Sequence, residues 1–500
     1  MKVFAFYLPQ FHRVPTNDEW WGEGFTEWTA AKNAKPLYGG HYQPHEPLND
    51  KYYNLLDKET MIWQAKLMHE YAIDGFCMYH YWFSSKEKVL EKPVENLLSW
   101  KDIDMPFCLT WANESWLNKW SNREGLHWNN VNLSKKVKRE VIFQQTYGRE
   151  DDWKVHFEYL LPFFMDDRYI RIEGKPLFII YLLDNIPCIN QMIEYWNELA
   201  KNEGLPGLYV MGVGSLFREY GVDSVITHEP GSVGHSINVL NKNEFPKRFS
   251  YDDAYKKILS GKYASEKHIV YTALSSYDTT PRYGKYGEVF EGATPEKFCK
   301  YLAELMAKNE AAGENITIIN AWNEWGEGMH LEPDKKDGVK WLEAVKKAKE
   351  EYGQYVERYK NENEQISESE YDIYCEKEKI SIYYSVINKW MTIKEKGRLA
   401  IDSIKERLDN GIIIYGSGVL TDHLIWECKE VGISVKGIID RASVVNLEGI
   451  SVFKVEDEWP EADAIIVTAF YHMRDICNSV RKVNKDILIY SLDEIIAMSE

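Results

Sequence analysis

Apolar residues in this chain gather in short continuous runs, at 3–8, 75–83, 106–111, 175–181, 208–213, 224–228, 269–274 and 316–321. A run without polar alternation is what a strand buried on both faces carries, as in a parallel sheet covered by helices. Amphipathic helical patterns lie between several of them, at 61–71, 188–202 and 295–312. Eight such strands with helical connections over about 340 residues predict an α/β fold, a (β/α)8 TIM barrel, whose chemistry sits at the C-terminal strand ends. His12, His80, Trp111, Asn113, Glu114, His228, Asp278 and Glu324 fall there. Singly, each is more often a packing group whose hydrogen bonds are satisfied; together they outline a cleft.

The texture changes after residue 341. A charged helix at 346–363, a polar linker at 362–370 and a mixed helical stretch at 371–408 lead to a second α/β pattern. An apolar run at 412–415 enters Gly416-Ser417-Gly418, a helix at 419–431 follows, and the next strand, 435–439, ends in Asp440. Further strands are expected at 464–468 and 487–490. The predicted domains are therefore 1–352, a helical connector at 353–408 and a Rossmann-like unit at 409–500. Gly416 and Gly418 would approach a phosphate and Asp440 a ribose, pointing to a nucleotide or nucleotide sugar. Thr421 stands where the fingerprint has its third glycine, so a structural or docking unit is the alternative.

The densest candidate chemistry follows the last run of the first domain: Trp322-Asn323-Glu324-Trp325-Gly326-Glu327-Gly328. If the chain coils into a helical turn there, Glu324 and Glu327 share one face about 5–6 Å apart. Two carboxylates that close cannot both ionise freely, so one keeps its proton. Glycosidic bond cleavage needs such a pair, one group to protonate the leaving oxygen and one to act as base or nucleophile. The adjacent indoles offer flat faces to sugar rings, and Asn323 a hydrogen bond. Trp20–Trp28 and Gly39–His45 form a long aromatic loop, expected either to serve the site or to plug one end of the barrel.

Composition narrows the partners. The aromatic share is 14%, with 18 Trp and 33 Tyr, as a sugar-stacking cleft requires. A formal charge of −18 argues against nucleic acid, which needs a basic surface. The seven cysteines form no Cys-x-x-Cys pair, so neither a zinc site nor a disulfide framework is indicated. His12, His80 and His228 lack short ligand spacing, and no metal is expected. Without an apolar leader or a stretch of membrane-spanning length, the expected location is cytoplasmic.

Phe6-Tyr7-Leu8-Pro9-Gln10-Phe11-His12, Trp21-Gly22-Glu23-Gly24-Phe25-Thr26-Glu27-Trp28, His41-Tyr42-Gln43-Pro44-His45, Trp111-Ala112-Asn113-Glu114 and Trp322-Asn323-Glu324-Trp325 occur in this order. Over residues 1–345 the chain resembles the WbsX family. That family is similar to glycoside hydrolase family 99, the endo-α-mannosidases, and is often described as polysaccharide-biosynthesis glycosyltransferases. The resemblance implies a retaining, substrate-assisted mechanism through a 1,2-anhydro sugar, with Glu324 as base, Glu327 as acid and no cofactor. The hydrolases typically carry His where this chain has Gly326, so the mannosidase substrate is not carried over. The expected sugar-binding set is His12, Glu27, Trp28, His80, Tyr81 and Trp111. It continues with Asn113, Glu114, Asp278, Trp322, Asn323 and Trp325. The first reading is thus an enzyme cleaving glycosidic bonds of an oligo- or polysaccharide in bacterial surface-polysaccharide metabolism. A transferase using an activated donor held by the last domain is the second, and a non-catalytic glycan-binding protein the third.

Overall fold

Strand Lys2–Tyr7 pairs in parallel with Gly75–Ser84 on one side and Ile316–Asn320 on the other. From Gly75–Ser84 the sheet continues in parallel through Phe107–Trp111, Lys175–Ile180, Tyr209–Val213, Ser224–Ile226 and Ile269–Val270. On the other side Ile316–Asn320 pairs with Ala273–Leu274. The two ends of the path are thus two halves of one run, 269–274, and the sheet curls round in a TIM-barrel-like arrangement. The expected seventh strand is split at Tyr271-Thr272. Side chains replace the ladder there: Asn309 Oδ1 accepts from the Tyr271 amide (3.0 Å), and Thr227 Oγ1 from the Thr272 amide (2.9 Å).

This computed structural model describes all residues except 118–140, 187, 216–219, 234–236, 243, 261–267, 362–367, 442–445, 448, 485–486 and 500. Residues 362–367 of the expected linker therefore lie outside the described residues. The chain divides into two compact units, Met1–Asn185 with Met192–Ser367, and Ile186–Gln191 with Glu368–Glu500.

Helices cover the outer face of the first unit's sheet for reasons local to their sequence. Pro295–Ala311 opens on Thr294, whose side chain accepts from the Lys297 amide (3.3 Å), with proline at the first helical position. It buries Phe298, Leu302, Leu305 and Met306, and carries the Asn309 that bridges the split strand.

The second unit has a sheet in the order Asn446–Leu447, Ile450–Phe453, Val435–Ile439, Ile412–Tyr415, Ala464–Val467, Leu488–Ser491. All neighbours are parallel except the first pair. Ile412 and Ile414 enter one core with Leu424, Cys428 and Ile466, while Ile413 and Tyr415 enter another with Met473 and Ile476. Both faces are buried, which is why the strand reads as an unbroken apolar run. Residues 368–408 are not a separate connector. Val386, Trp390 and Ile393 recur at helical spacing on Glu368–Glu395 and join the first of these cores with Ile401 and Ile404. Among the described residues no helix is long and apolar enough to cross a membrane.

Candidate active site

The turn after strand Ile316–Asn320 is a small hairpin. Asn323–Glu324 pairs antiparallel with Met329–His330, and Trp325–Glu327 forms one 3-10 turn between them. Gly328 closes it with φ +64, where a side chain would be strained and its Cβ would press on Asp278 at 3.0 Å, so glycine is favoured. Asn323 is fully buried: its Oδ1 accepts from the Leu8 amide (2.7 Å) and its Nδ2 donates to the Leu8 carbonyl (3.0 Å). Trp325 stacks on His330 with centroids 3.8 Å apart and donates its indole N–H to Glu332 (2.8 Å). Glu332 also accepts from Tyr53 and Gln64, and burial pushes its carboxyl up to about 7. Asn323, Trp325 and Glu332 thus fix the turn from beneath.

Arg282, on the short helix Thr280–Tyr283, closes the site. Its Nη2 donates to Glu324 (2.6 Å) and Glu27 (2.7 Å), its Nε to Glu27 (3.0 Å) and its Nη1 to Glu327. Glu27 is fully buried at the start of helix Glu27–Asn33. A Cβ on Gly326 would run into the Glu27 carboxylate, so the glycine makes room for this third acid and its guanidinium. Three carboxylates thus share one cation. Burial raises Glu324 to about 8 against the pull of Arg282, with Glu327 and Glu27 adding to the rise. Burial raises Glu327 too, again opposed by Arg282. Burial therefore favours a shared proton on the pair at neutral pH. Glu327 is the more open of the two, its side chain 24% exposed against 9%.

Both glutamates line a cavity of about 330 Å³ at the C-terminal strand ends. Tyr79, Tyr81, Tyr181, Tyr283, Trp21 and Trp116 give it aromatic walls. Gln10, Glu114, His228 and Asn320 add polar groups, with His228 Nε2 3.2 Å from the Tyr79 hydroxyl. Burial lowers His228 to about 4, so it is neutral at pH 7. Such a mixture of flat apolar faces and convergent polar groups suits a polyhydroxylated ring.

Of the expected sugar-binding residues, Tyr81 and Glu114 line this cavity, and Glu27 reaches its carboxylates through Arg282. The others lie outside the lining, each for a visible reason. Side chains alternate along Gly75–Ser84, so Tyr79 and Tyr81 face the cavity while His80 faces helix Glu150–Phe164. There His80 Nε2 is 2.9 Å from His156 Nε2, and burial lowers it to about 3. Trp111 donates to the Trp82 carbonyl and Trp28 to the Tyr53 carbonyl, both packed among aromatic neighbours. Trp322 packs on Phe76, fully buried. Asn113 clamps Leu182, accepting from its amide (2.7 Å) and donating to its carbonyl (2.8 Å). His12 lies 3.0 Å from the Pro9 carbonyl through Nδ1. Asp278 lines a separate cavity of about 260 Å³, accepting from His41 (2.8 Å) and Gln43 (2.6 Å).

The sequence reading missed Arg282, Tyr79, Tyr181 and Tyr283. Strand alternation beside Tyr81 marks Tyr79, and the end of a strand marks Tyr181; nothing local marks Arg282. Among the described residues, no three His, Cys, Asp or Glu side chains are grouped to hold a metal ion. Gly416, Gly418 and Asp440 line a cavity of the second unit.

Fold and cleft together define a TIM-barrel-like protein with an arginine-bound carboxylate pair at its C-terminal strand ends. The chain belongs to the family described as Glycosyltransferase WbsX, whose model matches residues 3–345. It is 31% identical over 358 residues to an uncharacterized protein WxcX of Xanthomonas campestris pv. campestris, and equally to the WxcX protein of strain B100. The match covers 69% of this chain and 49% of either relative, so the chain spans about half the length of the curated relatives it matches. Among solved structures, it is similar to the GH99 endo-alpha-mannosidase from Bacteroides thetaiotaomicron, at 14% identity and a TM-score of 0.43 over 71% of this chain and 98% of that one. A glycoside hydrolase-like protein gives 13% and 0.39 over 69% and 93%.

Proposed function

We propose that this protein is a carbohydrate-active enzyme that opens a glycosidic bond with retention, using Glu324 and Glu327 as its acid–base pair. The observation that carries the reading is the Arg282 guanidinium bound to both carboxylates at the wall of an aromatic-lined cleft. In the first step the base removes the proton of the sugar 2-hydroxyl, O2 displaces the leaving oxygen at C1, and the acid protonates that oxygen. In the second, water or another hydroxyl attacks C1 of the 1,2-anhydro sugar and gives its proton to the carboxylate that had served as acid, while the C1–O2 bond breaks and the other carboxyl returns its proton to O2. Water gives hydrolysis and a sugar hydroxyl gives transfer, so one intermediate serves either outcome. Bacterial surface polysaccharide, handled in the cytoplasm, is the proposed setting. The second reading, transfer from a nucleotide-activated donor, is favoured by the family's description as a glycosyltransferase.

The test is mass spectrometry and NMR of products from α-linked oligosaccharides, beside a parallel arm with nucleotide sugars and acceptors. Shorter products of retained configuration support the first reading; longer ones formed only with a nucleotide donor support the second. Glu324→Gln and Glu327→Gln activities equal to wild type would sink both. A substrate with an activated leaving group assigns the roles, because only the variant lacking the acid keeps its turnover.

A further inference from the structure

The second unit carries its own cavity, of about 720 Å³, at the C-terminal ends of its strands. Three strand ends meet there: Gly416-Ser417-Gly418 after Ile412–Tyr415, Asp440 after Val435–Ile439, and Thr468-Ala469 after Ala464–Val467. Ile412–Tyr415 is first in the chain and central in the sheet, with the second and third main strands on one side and the later two on the other. The cavity therefore sits at the switch point, where open parallel sheets take ligands.

The turn itself is shaped for close approach. Gly416 has φ +107, and a Cβ there would meet Thr468 Oγ1 at 2.6 Å, so only glycine fits. At Gly418 a Cβ would meet nothing within 4 Å, so the backbone borders open space. Helix Val419–Val431 begins at this point; the Thr421 amide donates to the Gly418 carbonyl (2.8 Å), and the amides of Val419 and Leu420 before it have no carbonyl one turn back in the helix to donate to. Such amides hold phosphate. The missing third glycine is compensated: buried Thr421 donates to the Gly416 carbonyl (2.7 Å), and its hydroxyl lies 3.0 Å from that of Thr468. The departure from the fingerprint braces the turn.

The facing wall comes from helix Glu368–Glu395, with Tyr383, Ile387, Trp390 and Met391. Ile387 is 38%, Met391 55% and, at the mouth, Val419 72% exposed, so large apolar side chains are left uncovered around one concavity. Lys394 lines the same wall, with its ammonium already 3.4 Å from Glu427. Anion recognition thus falls to the backbone turn.

We propose that this cavity binds a nucleoside diphosphate. The diphosphate lies on the Gly416–Gly418 turn, the ribose hydroxyls reach Asp440, and the base rests against the apolar wall of Tyr383, Ile387 and Met391. The inference is independent of the carbohydrate reading of the first unit, although a nucleoside diphosphate is the group an activated sugar releases.

Calorimetric titration of the full chain with UDP, GDP, CDP, ADP and dTDP, and separately with inorganic pyrophosphate, tests it. At least one nucleotide binds with a Kd below about 100 μM. Gly418→Asp enters open space, keeps the fold by circular dichroism and weakens that binding by about tenfold or more, equivalent to 1.4 kcal/mol. Asp440→Asn weakens the nucleotide and leaves pyrophosphate unchanged. Glu324→Gln leaves both unchanged, which separates this result from the fate of the first site. No binding tighter than about 1 mM by any of the five nucleotides overturns the proposal, as does wild-type affinity in both Gly418→Asp and Asp440→Asn.

Discussion

The first unit walls its cavity with buried charge, three carboxylates on one guanidinium, backed by tyrosines and a neutral histidine. The second unit walls its cavity with a glycine turn and uncovered aliphatic side chains, and the lysine in its lining, Lys394, is paired to Glu427. Both occupy the same topological position, the carboxyl ends of parallel strands, so topology alone does not set what a cavity does. Buried carboxylates are costly to keep unless paired, and they are kept where a proton must move. A backbone turn needs no titratable group and suits recognition without chemistry.

The comparison can be broken most severely at the glutamates. Replacing Glu324 or Glu327 by Gln should lower turnover by about 10²–10⁴-fold without unfolding the chain, measured as product formed per enzyme. The two substitutions should not affect nucleotide titration of the second unit. Next comes the cation. Arg282→Gln leaves three buried acids uncompensated and should lower stability by about 3–5 kcal/mol in urea unfolding. Arg282→Lys restores charge without the fork, and recovers part of the stability but little of the activity.

A smaller effect is expected from pH. The folded value of Glu324, about 8, lies above that of an unfolded glutamate, about 4.3. Folded chains hold the extra proton between those values, so this group's stabilising contribution is present below the lower one and lost as pH rises through the higher. Glu324→Gln should therefore melt a few degrees above wild type near about pH 8.5, and the gap should close near about pH 5. Arg282, Glu27 and Glu327 face the same group, so titration reports the cluster. The smallest change in binding should come from Asn113→Ala. It leaves the Leu182 backbone unpaired at a cost of about 1–3 kcal/mol while KM stays at the wild-type value.

How much of this was legible follows from where each contact lies in the chain. The strands were legible because burial on both faces writes continuous apolar runs, and the Glu324 turn because its parts are adjacent. The tryptophans misled for a physical reason. An indole is equally useful as a sugar platform and as packing, and Trp28, Trp111 and Trp325 are buried with their N–H groups given to protein acceptors. His80 misled because a shift of one residue moves a side chain to the other face of a sheet. Arg282 was invisible because its partner Glu27 is 255 residues away.

That separation bears on how the protein comes into being. Glu27 is synthesised first, its guanidinium 255 residues later and the remaining two acids later still. Until Arg282 has been made the first acid lacks its folded-state cation, and Glu324 and Glu327 come together with it only once residue 327 has emerged and the sheet has curled round. The clamp therefore links reactivity to completion of the first unit: a nascent or truncated chain ending before that turn can fold strands, but has no pair with which to act.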